Sequence, residues 1–551
     1  MLGGMQDWGL TLDKIIDHAR VNFPDAEVVT RSVEGPIHRT TYAALHDRAK
    51  QVSHALWQNG IAPGDRVATL AWNSWRHLEV WYGTSCMGAV LHTVNPRLFP
   101  EQIAWIMNHA EDKILFLDLT FVPLIEKIAG ELKTVKAFVI LTDAAHMPQT
   151  SLPGALCYED FIAGRPLGVR WGEFDENTAA GICYTSGTTG DPKGVVYSHR
   201  SNVLHALAAN QPDCFGICAE DVVMPVVPMF HANAWAIAFV APMAGAKIVN
   251  PGAKLDGQSV YELLESEGVT MTAAVPTVWL MLLQFLQENN KKLSTLKRVA
   301  IGGSAVPEKV LRAFEVDYGV DVIHAWGMTE MSPIGTLGAL LPKHKKAPID
   351  ERMRLKLKQG RALFTVEIKI VDDEGKELPR DGKTFGRLVV NGPAVAKSYF
   401  KNEGARRADG TALEADGFFD TGDVATLDGD GYMQITDRSK DVIKSGGEWI
   451  SSIDIENIAM GASGVACAAV IGVAHPKWDE RPLLIIEAAA GAAPTKEQVL
   501  AHLEGKIAKW WTPDDVVFIE KIPLGATGKI NKLALRGMFK EYVLPSAQAA
   551  E

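Results

Sequence analysis

The stretch CYTSGTTGDPKGVVYSHRS, residues 183–201, packs Ser/Thr–Gly steps, a proline and a lysine into a few positions. A β-rich run at 179–184 leads directly into it. Glycines let backbone amides turn toward one point, hydroxyl groups add donors and Lys193 adds a positive charge, so this loop could surround phosphate oxygens. Composition alone favours a flexible linker, whereas the preceding strand and the abrupt Pro192 favour a phosphate-binding loop. The order differs from the Walker pattern, because no Lys-Ser/Thr follows a GxxxxG spacing.

Length and composition describe an ordinary globular protein. The chain has 551 residues, of which 47% are hydrophobic and 22% charged, enough for more than one domain. Its formal net charge of −11 argues against nucleic acid and anionic membranes as partners, so an anionic ligand needs a local site. Six scattered cysteines form no CxxC pair. The cysteine spacing predicts reduced thiols. The start of the sequence shows no basic-then-apolar signal pattern, which predicts a cytoplasmic protein without integral membrane association.

Short β-rich runs alternate with amphipathic helical patterns, which predicts parallel or mixed sheets covered by helices. The clearest helix lies within 41–60, where Leu45, Ala49, Val52 and Leu56 share one face. Strands are predicted at RVATLA (66–71), ILFLD (114–118), AFVILT (137–142), RVAIGG (298–303) and VDVIHAWG (320–327). TVEIKIVDDEGKELP (365–379) and FGRLVVNG (385–392) predict antiparallel strands of a smaller β-rich subdomain.

A domain boundary is predicted near 435–452, where charge and glycine are dense. The predicted domains are residues 1–439 and 440–551. In the second, three apolar residues predict one helical face: Val499, Leu503 and Ile507. The predicted fold is therefore of the α/β class with α+β elements, with a large N-terminal domain of sheets flanked by helices, a β-rich subdomain and a small C-terminal α/β domain.

Four further segments carry residue types suited to a nucleotide. In HAWGMTE (324–330) an aromatic ring could lie against a base and a carboxylate could reach Mg²⁺, although Glu330 alone would suit a helix N-terminus. In IGGSAVP (301–307) a ligand could lie close to the backbone, although glycine pairs are common in turns. Asp423 in TGD could accept hydrogen bonds from both ribose hydroxyls or simply form a turn. Lys529 in PLGATGKINK, taken alone, would be an ordinary exposed lysine.

Taken together, YTSGTTGDPKGV, GMTE, TGD, DRSKDVIKSGGEWIS and TGKINK occur in the order and spacing of the acyl-adenylate-forming superfamily. The sequence resembles this superfamily of acyl-CoA ligases, luciferases and peptide-synthetase adenylation domains over nearly the whole chain. PMFHANAWAIAF (228–239) and SGGEWISSIDIEN (445–457) are most similar to medium- and long-chain fatty-acyl-CoA ligases.

The resemblance implies a complete set of site residues. The catalytic residues would be Lys529, Glu330 and Thr185, the last two also binding magnesium. The nucleotide would be bound by Thr185, Ser186, Gly187, Thr188, Thr189, Gly190, Lys193, Gly303, Ser304, His324, Ala325, Trp326, Gly327, Thr329, Asp423, Arg438, Lys440 and Lys444. The acyl and carboxylate pocket would comprise His231, Ala232, Trp235, Gly302, Met328 and Pro333. The hinge and coenzyme A face would comprise Lys440, Gly446, Gly447, Glu448 and Trp449.

Two residues depart from the family pattern, and two others allow a second interpretation. Trp326 stands where relatives usually stack a tyrosine on adenine, and Asp437 replaces a glycine frequent before the arginine. His231 and Trp235 are four apart and could be core aromatics on one helical face. The resemblance instead makes Trp235 a gate between acyl tunnel and nucleotide, and His231 a wall of the carboxylate site. The alanines around them leave room for an apolar chain.

The implied activity is that of an ATP-dependent carboxylic acid–CoA ligase with ATP, Mg²⁺ and coenzyme A. The acid and ATP would give an acyl adenylate and pyrophosphate, and CoA would then give acyl-CoA and AMP, with no catalytic cysteine. The C-terminal domain would swing about the hinge between the two steps. The substrate expected is a medium-chain or other apolar fatty acid. Alternatives are a ligase for a short sulfur-containing or aryl-alkanoic acid, an enzyme loading a carrier protein, or a nucleotide-binding module without chemistry. The resemblance also suggests a homodimer.

Overall fold

A computed structural model describes residues 1, 3–185, 191–438, 441–446, 448–525 and 529–548. Their strands are β1 (Glu27–Arg31), β2 (Ile37–Thr41), β3 (Arg66–Leu70), β4 (Val90–Thr93), β5 (Ile114–Leu117), β6 (Ala137–Ile140), β7 (Leu156–Cys157), β8 (Ala179–Tyr184), β9 (Gly194–Ser198), β10 (Val222–Pro225), β11 (Lys247–Asn250), β12 (Met271–Ala274), β13 (Arg298–Gly302), β14 (Asp321–Gly327), β15 (Ile334–Leu337), β16 (Arg361–Ala362), β17 (Glu367–Val371), β18 (Gly386–Asn391), β19 (Phe419–Leu427), β20 (Met433–Arg438), β21 (Ile443–Ser445), β22 (Glu448–Ile450), β23 (Val465–His475), β24 (Asp479–Ala488) and β25 (Asp515–Ile519).

The α-helices lie between these strands or, at both ends of the chain, outside them. They are α1 (Asp13–Asn22), α2 (Tyr42–Gln58), α3 (Trp75–Cys86), α4 (Pro100–Ala110), α5 (Val122–Ile128), α6 (Tyr158–Ile162), α7 (His199–Ala209), α8 (Ala232–Trp235), α9 (Ile237–Ala244), α10 (Gly257–Ser266), α11 (Pro276–Glu288), α12 (Glu308–Arg312), α13 (Pro342–Lys345), α14 (Ile349–Leu357), α15 (Ser452–Ala459), α16 (Lys496–Leu503), α17 (Lys532–Met538) and α18 (Pro545–Gln548). None of the helices in the described part of the chain is long and apolar enough to cross a membrane.

Two large sheets make up the N-terminal part. One has the strand order β16-β15-β14-β13-β12-β10-β11-β1-β2 and is parallel from β14 through β1, with antiparallel strands at both edges. The other has the order β7-β6-β5-β3-β4-β8-β9, in which only the β8–β9 pair is antiparallel. Their central strands are buried on both faces because helices cover the sheets, which explains their continuous apolar runs.

The two smaller sheets follow in the chain. Strands β17-β18-β19-β20 form an antiparallel sheet, as the polar turns between their apolar runs predict. In the C-terminal part, β22-β21-β24-β23 are antiparallel and β25 adds to β24 in parallel. The predicted fold class, large sheet domain, β-rich subdomain and small C-terminal α/β unit are confirmed.

The structure confirms one of the two helices predicted from apolar periodicity over its full length, and the other only in part. Helix α2 begins after Thr41, whose hydroxyl accepts from the Ala44 N–H, and its four predicted core residues are buried. Helix α16 buries Val499 and Leu503 but ends there. Ile507 packs against the same C-terminal core from outside the helix, because the chain turns at Gly505, where φ is +74°.

The topology fixes where the ligand-binding motifs meet. Strands β13 and β14 are parallel neighbours, with Gly302 paired to Ala325, so their carboxyl ends lie side by side. The segments that follow, Gly303–Ser304 and Met328–Glu330, therefore lie at one edge of the sheet, where α/β proteins bind ligands.

Candidate active site

The two ends of the predicted phosphate loop are held together. The Thr185 N–H donates to the carbonyl of Lys193 over 2.9 Å, and the Lys193 N–H donates to the Thr185 hydroxyl over 3.0 Å. Five predicted loop residues, 186–190, lie outside the described residues. Two hydrogen bonds therefore join the described ends of this segment directly after β8.

Glu330 lies in a short 3₁₀ turn after β14 and is only 7% exposed. Tyr399 donates its hydroxyl to Oε1 of Glu330 over 2.7 Å. The preceding carbonyl, that of Thr329, accepts a hydrogen bond from the Tyr197 hydroxyl over 2.7 Å, which ties the turn to β9. Burial raises the pKa of Glu330, while the Tyr399 hydroxyl and the charge of Lys193 oppose that rise.

Tyr399 is a functional candidate that the sequence analysis missed. Its ring lies 5.0 Å from Nζ of Lys193, within cation–π range, while its hydroxyl holds Glu330. One side chain thus connects the phosphate-loop lysine to the candidate metal carboxylate. A single tyrosine in AKSYF, in a loop with no periodicity, gives no signal from which this role could have been predicted.

Trp326 and Asp423 are joined by a hydrogen bond. The indole Nε1–H donates to Oδ2 of Asp423 over 3.0 Å, although the residues come from different sheets. Asp423 on β19 lies opposite Arg438 on β20 in the strand register. Burial raises the pKa of Asp423, and Arg438 and the indole N–H lower it. The candidate base-stacking and ribose-binding residues therefore form one unit.

Lys529 reaches this unit from the C-terminal part of the chain. Its Cε lies 3.9 Å from the position that a Cβ would take on Gly303. Burial, with the nearby charge of Arg438, lowers the pKa of Lys529 to about 8, while Asp423 and Glu330 act against that fall. The interpretation of Lys529 as an ordinary exposed lysine is therefore wrong, because the side chain is partly buried and lies beside Gly303.

The segment holding His231 and Trp235 is not a right-handed helix. Residues Ala232–Ala236 all have positive φ, from 44° to 66°, which costs on the order of 1–2 kcal/mol per residue for non-glycine residues. The right-handed helical face expected for two core aromatics is therefore absent, although Trp235 does lie within the hydrophobic core. Trp235 is 4% exposed and its Cη2 lies 3.2 Å from the position of a Cβ on Gly302. Burial lowers the pKa of His231 to about 4, with Lys529 contributing, so this histidine is neutral at pH 7.

Two of the remaining pocket candidates, Met328 and Pro333, meet in the turn that follows β14. The Met328 N–H donates to the carbonyl of Pro333 over 3.0 Å, and a Cβ on Gly327 would lie 1.9 Å from that oxygen. Only glycine fits at position 327, so the chain brings Met328 directly against Pro333, whereas Gly302 lies against Trp235. His324 lies elsewhere on β14, where Nδ1 is 3.3 Å from the carbonyl of Lys356 and burial lowers its pKa to about 4. Ser304 is exposed at the sheet edge.

The predicted coenzyme A residues lie on a hairpin of the C-terminal sheet. Lys444 on β21 is exposed and pairs in register with Trp449 on β22, the strand that begins at Glu448. The Lys444 N–H donates to Glu480 over 3.1 Å, and Gly446 has a φ of +60°. Lys440 and Gly447, also predicted here, lie outside the described residues.

Asp437, the departure from the family pattern, is 1% exposed and links β20 to α15. Its carboxylate accepts from the backbone N–H of Ser452 over 3.1 Å and from the Ser452 hydroxyl. Nζ of Lys532 lies 3.9 Å away and also pairs with Glu456 over 2.8 Å. This buried carboxylate therefore joins the segment before the predicted hinge to the segments after it.

The oxygen atoms of Glu330 and Thr185 are ligands of the kind that Mg²⁺ prefers. Glu330 offers a buried carboxylate whose orientation Tyr399 fixes, and Thr185 offers a hydroxyl at the base of the phosphate loop. Mg²⁺ needs only one or two protein oxygens when phosphates and water complete its shell.

Comparison with known proteins identifies the family. The AMP-binding enzyme family matches residues 16–400, and the AMP-binding enzyme C-terminal domain matches residues 454–529. The chain is 49% identical to the 3-methylmercaptopropionyl-CoA ligase of Ruegeria pomeroyi, over 98% of this chain and 100% of that protein. It is 46% identical to the medium-chain-fatty-acid–CoA ligase of Ectopseudomonas oleovorans, over the full length of both chains.

A solved structure of an ATP-bound protein has a similar fold over nearly the whole chain. ATP-bound MatB from Rhodopseudomonas palustris is 26% identical and superposes with a TM-score of 0.79, covering 97% of this chain and 99% of that one. The chain belongs to the AMP-binding enzyme family. The predicted membership of the acyl-adenylate-forming superfamily, in its fatty-acyl-CoA ligase group, is confirmed.

Proposed function

We propose that this protein is an ATP-dependent carboxylic acid–CoA ligase that works through an acyl adenylate. The observation that carries the proposal is the position of Lys529, whose side chain lies beside Gly303 and whose amine is influenced by the charges of Asp423 and Glu330. A cation supplied there by a distant segment offsets the repulsion between two anionic substrates, the acid and ATP. The full-length similarity to acid–CoA ligases supports the same activity.

In the first half-reaction a carboxylate oxygen of the acid bonds to the α-phosphorus of ATP, and pyrophosphate leaves. Trp326 stacks on the adenine, Asp423 accepts from the ribose hydroxyls with Arg438 beside it, and Lys529 bridges the carboxylate and the nucleotide. Thr185 and Glu330 would hold Mg²⁺, which supplies charge neutralisation at the phosphates when bound. The loop 185–190 and Lys193 surround the departing pyrophosphate. Positioning and charge carry this step, so it needs no protein nucleophile.

In the second half-reaction the sulfur of coenzyme A bonds to the acyl carbon, and AMP leaves. We propose domains at 1–439 and 440–551, with the second turning about Lys440 to withdraw Lys529 and to present Lys444, Gly446–Gly447, Glu448 and Trp449. The two family matches fall on either side of this boundary and support it. The contact of Asp437 with Ser452 belongs to the adenylating arrangement and breaks in this rotation.

The acid proposed is a medium-chain or other apolar fatty acid. The buried Trp235, pressed against Gly302 and flanked by alanines, supports an apolar acyl site with that indole as its gate. A short sulfur-containing acid is the alternative that a relative's name favours, because 49% identity links the chain to a 3-methylmercaptopropionyl-CoA ligase. Aryl-alkanoic acids and carrier-protein loading are the further alternatives.

An acid panel tests the proposal. Purified protein is incubated with ATP, Mg²⁺ and one acid at a time, with and without CoA. The acids are a series of straight-chain fatty acids, 3-methylthiopropionate and 3-phenylpropionate. We expect acid-dependent pyrophosphate release without CoA and acyl-CoA by mass spectrometry with CoA. Lys529→Ala should abolish the release, whereas the exposed Lys521→Ala in the same segment should retain it. No acid-dependent release across the panel would contradict the proposal, and release with transfer only to a carrier protein would favour the carrier alternative.

Two further attributes are proposed from the resemblance. The protein acts in the cytoplasm, and it forms a homodimer through its N-terminal domain. Light scattering on the purified full chain tests the second, and a monomer across micromolar concentrations would contradict it.

A further inference from the structure

Trp326 offers a hydrogen-bond donor on the side of its aromatic ring. Tyrosine carries its hydroxyl at the tip of the ring, whereas tryptophan carries an N–H on the side of the indole. In this protein that N–H reaches Oδ2 of Asp423 over 3.0 Å. The indole N–H therefore makes a direct contact between the proposed base-stacking and ribose-binding residues.

The indole is held in one orientation by packing. Trp326 is 7% exposed and lies opposite Thr336 in the β14–β15 register. A Cβ on Gly335 would lie 2.6 Å from Cζ3 of the indole and 2.6 Å from Cε of Met331. The six-membered ring thus packs directly on the Gly335 backbone, and Nε1 lies on the opposite side of the indole. A ring wedged in this way directs its N–H at Asp423 before any ligand arrives.

Asp423 needs such an anchor because two cations compete for it. Arg438 lies opposite it in the strand register, and both Arg438 and Lys529 attract its charge. A carboxylate free to rotate would turn toward either cation. The neutral indole N–H occupies one of the four lone-pair positions of the carboxylate and leaves the others for hydroxyl donors. Orientation fixed in advance reduces the entropy lost when a ligand binds.

We propose that Trp326 is a positioning residue for Asp423, and that its N–H gives the site its selectivity for a nucleotide with intact ribose hydroxyls. This inference rests on the proposed function, in which Asp423 holds the ribose of ATP. It goes beyond stacking, because stacking of the same ring on adenine is indifferent to the sugar.

Calorimetric titration of the full-length protein with ATP, 2′-deoxy-ATP and 3′-deoxy-ATP, without acid or CoA, tests the inference. The wild type should bind ATP about tenfold more tightly than at least one deoxynucleotide, the discrimination expected of a hydrogen bond to a charged group. Trp326→Phe keeps an aromatic face but removes the N–H, so the ratio of ATP affinity to deoxynucleotide affinity should fall severalfold. Trp171→Phe is the matched control, since it removes an equally buried indole N–H bonded to Ser53 over 2.9 Å.

A double-mutant cycle strengthens the test. If Trp326 acts through Asp423, Asp423→Asn should also lower the ratio of ATP affinity to deoxynucleotide affinity. Adding Trp326→Phe to Asp423→Asn should then lower that ratio little further. Should Trp326→Phe fail to fold, Trp326→Tyr supplies the same comparison, because a tyrosine carries its hydroxyl at the tip of the ring and has no donor on the side.

The outcomes separate the inference from the proposed function. Equal losses of affinity for ATP and for both deoxynucleotides in the Trp326 variant would overturn the inference and show that Trp326 acts only by stacking. Wild-type protein that binds ATP without discrimination would also overturn it, while leaving the ligase proposal intact. Wild-type protein that binds no ATP would contradict both.

Discussion

The partly buried Lys529 predicts a pH dependence for adenylate formation. Burial and Arg438 lower the pKa of this amine to about 8, and only the protonated amine can bridge two anions. The active form is therefore fully present below about pH 7 and is lost as the pH rises through 8. With that pKa, about nine-tenths of the enzyme carries the charge at pH 7 and about one-tenth at pH 9, so kcat/KM for adenylation should fall about tenfold.

The assay is acid-dependent ATP–pyrophosphate exchange between pH 7 and 9.5, analysed as kcat/KM because that ratio reports groups of the free enzyme. Lys529→Arg keeps its charge throughout this range, so its profile should be flat even if its rate is lower. Transfer from a supplied acyl adenylate to CoA should not decline over the same range, because the thiolate is the nucleophile.

Two results would refute this reasoning. One is a flat adenylation profile in the wild type up to pH 9.5. The other is an alkaline decline that is the same in wild type and Lys529→Arg, which would place the titrating group elsewhere.

Three further substitutions test other contacts. Tyr399→Phe removes the hydrogen bond to Glu330 and should slow ATP–pyrophosphate exchange about tenfold or more, the range for a bond to a buried charge; an unchanged rate would mean the tyrosine is only structural. Trp235→Ala should shift the preferred acid length on the panel more than it changes KM for ATP, and an unchanged acid profile would return Trp235 to the core. Asp437→Asn should weaken the link to Ser452 and thereby slow adenylation relative to thioester formation, whereas equal effects on both half-reactions would contradict a role in the adenylating arrangement.

The sheets and the motif order were predictable because each depends on local sequence. Short continuous apolar runs predicted β3, β13 and β14, and the apolar spacing of α2 matched its buried face. The strand predictions also located the segments that carry Thr185 and Glu330, which follow β8 and β14 in two different sheets.

Other features depend on tertiary contacts that no local pattern encodes. The left-handed turn at Ala232–Ala236 opposes the intrinsic preference of every residue in it, so spacing alone favoured a right-handed helix. Tyr399 meets Glu330 across 69 positions of sequence, in a loop without periodicity. The partner of Asp437 lies beyond the predicted hinge, which explains why its replacement of a glycine could not be interpreted from the sequence.

The most direct test of the assignment of Lys529 to adenylate formation measures the two half-reactions separately in Lys529→Ala. Adenylate formation is measured as acid-dependent pyrophosphate release, and thioester formation as acyl-CoA produced from a supplied acyl adenylate. The site described here predicts that the variant loses adenylate formation by about a hundredfold or more, as expected when charge stabilisation is removed, and retains thioester formation near the wild-type rate. Equal loss of both half-reactions would contradict it.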